Sequence, residues 1–309
     1  MIMNQSLFNV MNMKLNVCYV LFNYEDSISN FFYSIDSFSR LSIIDSEFHL
    51  YLMGFDEENA PSFLSNYSSV ISSIQYVDHP SDLVTYGLHV NKYRYDFSQY
   101  YFLFINSSCI GPILPSYVDI NSFFSHIFDT LDTVSVVSSV VEFPRDNIAN
   151  KVLPYSERLY IPDSIQNIPF FHTFFFICKG QLLPFLCDVA SFPPLDSTKA
   201  DAVHVYERLI SANLLNHNHT IASIACLGCN IVTSDQLHLW DADLYNHPDK
   251  GFETCPEIPY NYFRSDLHPL DCVFFKNIRF PSPLRSQQRS GISDSNSVFL
   301  HEYKKYHLV

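Results

Sequence analysis

Apolar and polar positions alternate in blocks through the first third of the chain. "NVCYVLF", residues 16–22, is a dense β-branched and aromatic run that stops at Asn23-Tyr24, the pattern of a buried strand. Residues 27–41, "SISNFFYSIDSFSRL", place Ile28, Phe31, Phe32, Ile35 and Phe38 at helical spacing. "FHLYLMGF", 48–55, predicts a second strand, "APSFLSNYSSVI" a second helix opening near Pro61, and "SIQYVDHP", 73–80, a third strand. "SDLVTYGLHVNKYRY" then predicts a helix and "YYFLFIN" a fourth strand.

The same alternation continues with a helix near 120–131 and a strand over 133–143. A Pro-containing irregular segment, 144–169, leads to "FFHTFFFICKG", 170–180, read as a central strand. "GQLLPFLCDVA" is helical in tendency, and 201–221 predicts a long helix with Val203, Tyr206, Leu209, Ile210 and Leu214 on one face. "IASIACL" adds a short strand, and "HPLDCVFFKNIRF" closes the ordered part. Strand–helix alternation of this kind implies an α/β fold: a mostly parallel, Rossmann-like central sheet flanked by helices in a single domain. Ligands in such sheets lie at the carboxyl ends of the strands. Asn23-Tyr24, Asp78 and Asn106-Ser107-Ser108 are then expected on one edge. The expected organisation is an N-terminal extension over 1–14, one domain over 15–283, and a polar, partly disordered basic tail over 284–309.

Composition narrows the function classes. The 309 residues are 47% hydrophobic, with 28 Phe and 20 Tyr, enough for a large core, and a 16% charged fraction excludes a disordered chain. A net charge of −14 argues against nucleic-acid binding, which needs a basic stripe. The tail, with Arg285, Arg289, Lys304 and Lys305, offers a weak basic patch for an anionic membrane surface. No apolar run reaches the ~18 residues of a membrane span. The start carries neither a basic cluster nor a small-residue cleavage site, so no secretory signal is expected. The eight cysteines, several inside apolar runs, fit reduced thiols packed in the core of a cytoplasmic protein.

The most pointed polar feature is the end of the fourth strand. "FINSSCIGP" follows an apolar run with an amide and two hydroxyls, then turns at Gly111-Pro112. Neutral groups that both donate and accept suit sugar hydroxyls and ribose. A plain strand-ending turn uses the same residue types.

Four phrases together resemble a bacterial family of GT-A-like glycosyltransferases active in polysaccharide and O-antigen assembly. They are "SDLVTYGLHV", "FLFINSSCIGPILP", "VYERLIS" and "HPLDCVFFK", spanning about residues 16–279. Ile110 stands where the family has Arg before Gly-Pro, and Asp271 where it has Glu after His-Pro. The resemblance implies a GT-A-like fold and transfer of a sugar, a hexose by preference, from an activated, nucleotide-linked donor to a glycan or lipid-linked acceptor. It also implies a place on the cytoplasmic face of the inner membrane.

On that reading Glu207 is the candidate base for the acceptor hydroxyl, against the alternative of an exposed helical Glu. Asn23, Tyr24, Asp82, Tyr86, Asn106, Ser107, Ser108 and Gly111 are candidate donor contacts. For Asp82 the alternative is helix capping, beside Ser81, and for Tyr24 simple packing. His268 is a second catalytic candidate. Lys276, with Arg279, could reach a diphosphate or snorkel to the surface. Many GT-A enzymes hold a divalent metal with Asp-x-Asp at this strand end. The neutral Asn106-Ser107-Ser108 are poor ligands for one, so the expectation is a transferase that needs no metal or holds one elsewhere, with no other cofactor. Loss of that pair keeps a second reading open, a non-catalytic carbohydrate-binding or scaffold protein on a decayed transferase fold. "CLGC" with Cys255 and Cys272 is a weak zinc pattern lacking a second close pair. No dinucleotide, P-loop or H-E-x-x-H motif is present.

Overall fold

The computed structural model describes residues 13–59, 61–93, 98–112, 114, 118–139, 141–142, 170–188, 191–198, 202, 206–224, 231–232 and 274–276. Its strands in chain order are β1 (Lys14–Phe22), β2 (Asp45–Met53), β3 (Ile71–Val77), β4 (Tyr100–Asn106), β5 (Cys109–Ile110), β6 (Val136–Ser138), β7 (Val141–Glu142), β8 (Phe170–Phe171), β9 (Phe175–Lys179), β10 (Ile221–Ser223), β11 (Ile231–Val232) and β12 (Phe275–Lys276). The α-helices are α1 (Glu25–Phe38), α2 (Asp82–Lys92), α3 (Ile120–Leu131), α4 (Leu183–Asp188) and α5 (Glu207–Asn216).

Eight strands form one sheet in the order β11-β10-β6-β9-β4-β1-β2-β3. β1, β2, β3 and β4 are parallel, and β6 and β10 run the same way. β9 lies antiparallel between β4 and β6, and β11 antiparallel at the far edge. The carboxyl ends of six strands and the amino end of β9 therefore share one edge. This is the mostly parallel α/β sheet that the strand–helix alternation predicts.

Strand period divides the core into two faces. Leu15, Val17, Tyr19 and Leu21 of β1 join Tyr101, Leu103 and Ile105 of β4 beneath α1 and α3. Cys18 and Val20, with Phe102 and Phe104, pack on the opposite face under α2, α4 and α5. Strands buried on both faces lose polar alternation, which is why they read as continuous apolar runs. In α3 the buried Ile120, Phe123, Phe124, Ile127, Phe128 and Leu131 form one stripe. Asp119 caps that helix, accepting from the Ser122 N–H at 2.8 Å and its hydroxyl at 2.9 Å, and these bonds hold its carboxyl below the usual range.

Four elements differ from the sequence expectation. Residues 62–67 form a 3-10 turn rather than an α-helix. The Ser65 hydroxyl there bonds the Ser62 carbonyl at 2.8 Å, a local alternative to α-helical pairing. The strand expected over 133–143 divides at Ser139 into β6, in the main sheet, and β7, which pairs with β8 instead. The strand expected over 170–180 divides at residues 172–174 into β8 and β9. The helix expected to run to residue 221 ends its α-helical part, Glu207–Asn216, five residues earlier. It stops in a left-handed Asn218 (φ 62), with His219 N–H bonding Leu214 O at 2.9 Å and Asn218 N–H bonding Leu215 O at 3.1 Å.

Gly87 has a packing reason. A Cβ added there would lie 2.9 Å from the Cβ of Phe192, an atom fixed to its own backbone. Gly87→Ala should therefore destabilise the fold by about 1–3 kcal/mol through overpacking. Urea unfolding beside the exposed neighbour Leu88→Ala, expected to change little, checks this.

Candidate functional site

β4 ends at Asn106, only 2% exposed, on the face that α2 covers. Its backbone N–H donates to Phe174 O at 3.1 Å. Its side-chain NH2 donates to the Asp82 carboxylate at the first turn of α2. Its amide oxygen accepts from the Ser108 N–H at 3.0 Å and from the Ser108 hydroxyl. Both lone pairs of that oxygen are thereby used. Ser81, the N-cap position, makes no side-chain capping bond, and the acid beside it meets the strand end.

Ser107 is spent on the fold. It is fully buried, its N–H donates to Val20 O at 2.8 Å, and its hydroxyl accepts from Phe22 N–H at 2.9 Å. Its carbonyl accepts from Asn30 of α1 at 2.9 Å. Gly111 is likewise buried under α1, its carbonyl accepting from the Ser34 hydroxyl at 2.9 Å. Tyr86 is fully buried too, its ring 5.1 Å from Phe104 and 6.0 Å from Phe176. Burial, then the Asp82 charge, push its phenol well above the usual range. Ser107, Gly111 and Tyr86, expected as donor contacts, thus face the interior. Asp82 and Ser108 remain part-open beside Asn106.

On the same edge, Asn23 after β1 donates to Gly54 O at 2.8 Å, bracing the turn after β2, where Gly54 is left-handed (φ 73). Tyr24 is 40% exposed and stacks on Phe22 at 5.7 Å.

Glu207 opens α5 with its side chain 12% exposed. One carboxylate oxygen accepts from the Thr173 N–H at 3.0 Å and the Thr173 hydroxyl at 2.9 Å. His172 Nδ1 lies 3.9 Å from the same oxygen. One helical turn on, the Ser211 hydroxyl accepts from Phe171 N–H at 3.1 Å. α5 therefore grips residues 171–173, and the next residue's carbonyl holds the Asn106 N–H. The sequence reading missed Thr173 and His172, because both lie inside what looks like an unbroken strand.

β12 pairs antiparallel with β5, setting Lys276 opposite Cys109 and Phe275 opposite Ile110. The Phe274 ring stacks on Phe175 at 3.8 Å. The backbone of Lys276 is thus brought next to the strand end. His268, Arg279, the "CLGC" pair and the basic tail lie outside the described residues. The described cysteines Cys18, Cys109, Cys178 and Cys187 are thiols, and burial pushes the Cys178 thiol up to about 12. Among the described residues no three His, Cys, Asp or Glu side chains converge. The Asn106 amide oxygen already holds two donors, and the Asp82 carboxylate lies against the same amide. No helix among the described residues is long and apolar enough to cross a membrane.

No protein-family model and no curated protein matches the chain. Solved structures do. The galactosyltransferase LgtC, in complex with donor and acceptor sugar analogues, is 12% identical, with 64% of this chain and 70% of that one covered and a TM-score of 0.35. HddC from Yersinia pseudotuberculosis is 12% identical, covering 60% and 83%, with a TM-score of 0.33. Core-mannan synthase A from Aspergillus fumigatus, in an Mn/GDP form, is 10% identical, covering 65% and 69%, with a TM-score of 0.34.

The Asp82–Asn106 contact explains why an amide ends this strand. Asn106→Asp would set two carboxylates in contact, so one of them would ionise only at raised pH. A carboxyl whose folded pKa is raised adds stability at low pH and loses it as pH rises through that pKa. The variant should match wild type near pH 4 and fall below it by about 1–3 kcal/mol at pH 8. Denaturant midpoints at the two pH values measure this.

Proposed function

We propose that this chain is a glycosyltransferase of the GT-A-like kind. It would pass a sugar from a nucleotide-linked donor to a glycan or lipid-linked acceptor in surface polysaccharide assembly, at the cytoplasmic side of the membrane. The observation that supports this best is a single turn, residues 172–174, bonded to Glu207 on one side and to Asn106 on the other. It sets the proposed base and the proposed donor contacts on the carboxyl edge of the sheet, where ligands bind in open α/β sheets.

In the proposed reaction the acceptor oxygen bonds to the anomeric carbon as the bond to the nucleotide diphosphate breaks. Glu207 takes the acceptor proton, with one oxygen held by Thr173 so that the carboxylate keeps its orientation. Asp82 and Ser108 hold sugar or ribose hydroxyls, and Asn23 and Tyr24 border the base. Lys276, joined by Arg279 and His268, offsets the charge on the leaving diphosphate in place of a metal.

The second reading, a carbohydrate-binding protein without turnover, draws on Asn106, whose acceptor capacity is used internally. A thermal-shift panel of UDP-, GDP- and CMP-sugars, followed by hydrolysis and transfer assays, separates the two. Stabilisation with turnover that survives EDTA is expected; binding with no turnover favours the second reading, and Mn²⁺-reversible loss refutes the metal-free route. Glu207→Gln keeps an acceptor for Thr173, so it should fold while losing at least about 100-fold in turnover, the typical weight of general-base catalysis. Near-normal turnover removes Glu207 from the base role.

A further inference from the structure

At the opposite end of the sheet the α2 face carries a buried polar chain that the proposed reaction does not use. His89, fully buried on α2, has Nδ1 2.8 Å from the Tyr51 hydroxyl and Nε2 2.6 Å from the Asn16 side-chain oxygen. The Asn16 NH2 lies 3.3 Å from His49 Nε2, and His49 Nδ1 lies 2.8 Å from the Ser73 hydroxyl. Asn16 offers one donor and one acceptor to two Nε2 atoms, so through Asn16 only one of them can donate. As the amide is oriented, the partners assign His89 the Nε2–H tautomer and His49 the Nδ1–H tautomer. Reversing the amide reverses both tautomers and leaves the same rule.

We propose that this directional hydrogen-bond wire is an acid-sensitive latch that docks α2 on β1 and β2 while both imidazoles are neutral. A proton added to His49 Nε2 would point at the Asn16 NH2, donor against donor. Among the described residues no carboxylate acts on His89. Among the described residues the other titratable groups around the pair are Glu47, Lys92, Tyr93, Tyr51 and Cys18. Glu47 Oε2, 3.7 Å from His49 Nε2, favours the charged ring, and Lys92 opposes it. Tyr93 sets its hydroxyl 3.1 Å from both His49 nitrogens. Burial outweighs Glu47, and both rings sit below the usual histidine range. Below about pH 6.5 the unfolded chain takes up protons that the folded chain refuses, so stability falls as pH falls. Because α2 begins at Asp82, release of its His89 end also loosens the Asp82–Asn106 contact, whatever reaction that site performs.

The test uses the full chain and needs no substrate. Long-range proton–nitrogen spectra of 15N-histidine protein at pH 7.5 should show His49 and His89 neutral and protonated on opposite ring nitrogens. Protonation of both on Nε2, or an imidazolium at either position at pH 6, overturns the latch. In urea unfolding, wild type should lose up to tenfold in its folding constant per pH unit per excluded proton between pH 6.5 and 5. Asn16→Asp gives both Nε2–H groups an acceptor. It should be weaker than wild type at pH 7.5 yet lose less on acidification, whereas parallel pH profiles refute the proposal. If that variant does not fold, His49→Gln should flatten the wild-type profile, and an unchanged slope refutes it equally.

Discussion

The end of β4 is the contact on which the rest of this structure depends. Asn106 holds three neighbours at once: Phe174 through its backbone, Asp82 through its amide nitrogen and Ser108 through its amide oxygen. Phe174 belongs to the turn that introduces the antiparallel strand β9, and Asp82 to the helix covering the parallel half. The parallel half of the sheet, β9 and one helical layer are thus fastened at a single amide. A carboxylate could not fill that position beside Asp82 without repulsion, and an apolar side chain would leave Asp82 and the Ser108 N–H without this partner.

α2 is fixed at both ends by polar contacts set into an apolar face. Asp82 meets the strand end, and His89 meets Asn16, toward the amino end of β1, and the Tyr51 hydroxyl. Between them Tyr86 fills the space against Phe104 and Phe176, and Gly87 admits Phe192. Apolar burial supplies most of the attraction, but it is non-directional. The two polar ends favour one helix register, since each must match donors to acceptors. α5 follows the same logic: Glu207 and Ser211 fix which residues of the 171–173 segment it touches.

Much of the fold was legible in residue order. The runs at 16–22, 48–55 and 100–106 became β1, β2 and β4, and the stripe at 120–131 became α3 with the same ends. The errors fall where polar side chains divert the backbone. Ser138 and Ser139 sit where one apolar run leaves the sheet, and the Thr173 turn, tied to Glu207, breaks another. Each break puts two polar residues inside an apolar run, too short an interruption to show in a periodicity. At the site, Asn106 and Asp82 stood out as polar groups at the ends of elements, and Glu207 through the resemblance carried by "VYERLIS". Ser107, Gly111 and Tyr86 looked alike in sequence, yet their partners are Phe22, Asn30, Ser34 and the aromatic core.

Sequence alone determined the α/β class, the direction of the strand–helix alternation and the edge on which polar strand ends would gather, because local period and the handed crossover leave few other packings. Tertiary structure decided which of those polar groups are consumed within the fold and which stay part-open. It also placed β9 against the grain of the sheet and brought Glu207 within one turn of Asn106, 101 positions away in number (207 less 106). Hydrogen-bond partners separated by tens of residues leave no mark in a local pattern, and here those partners define the candidate site.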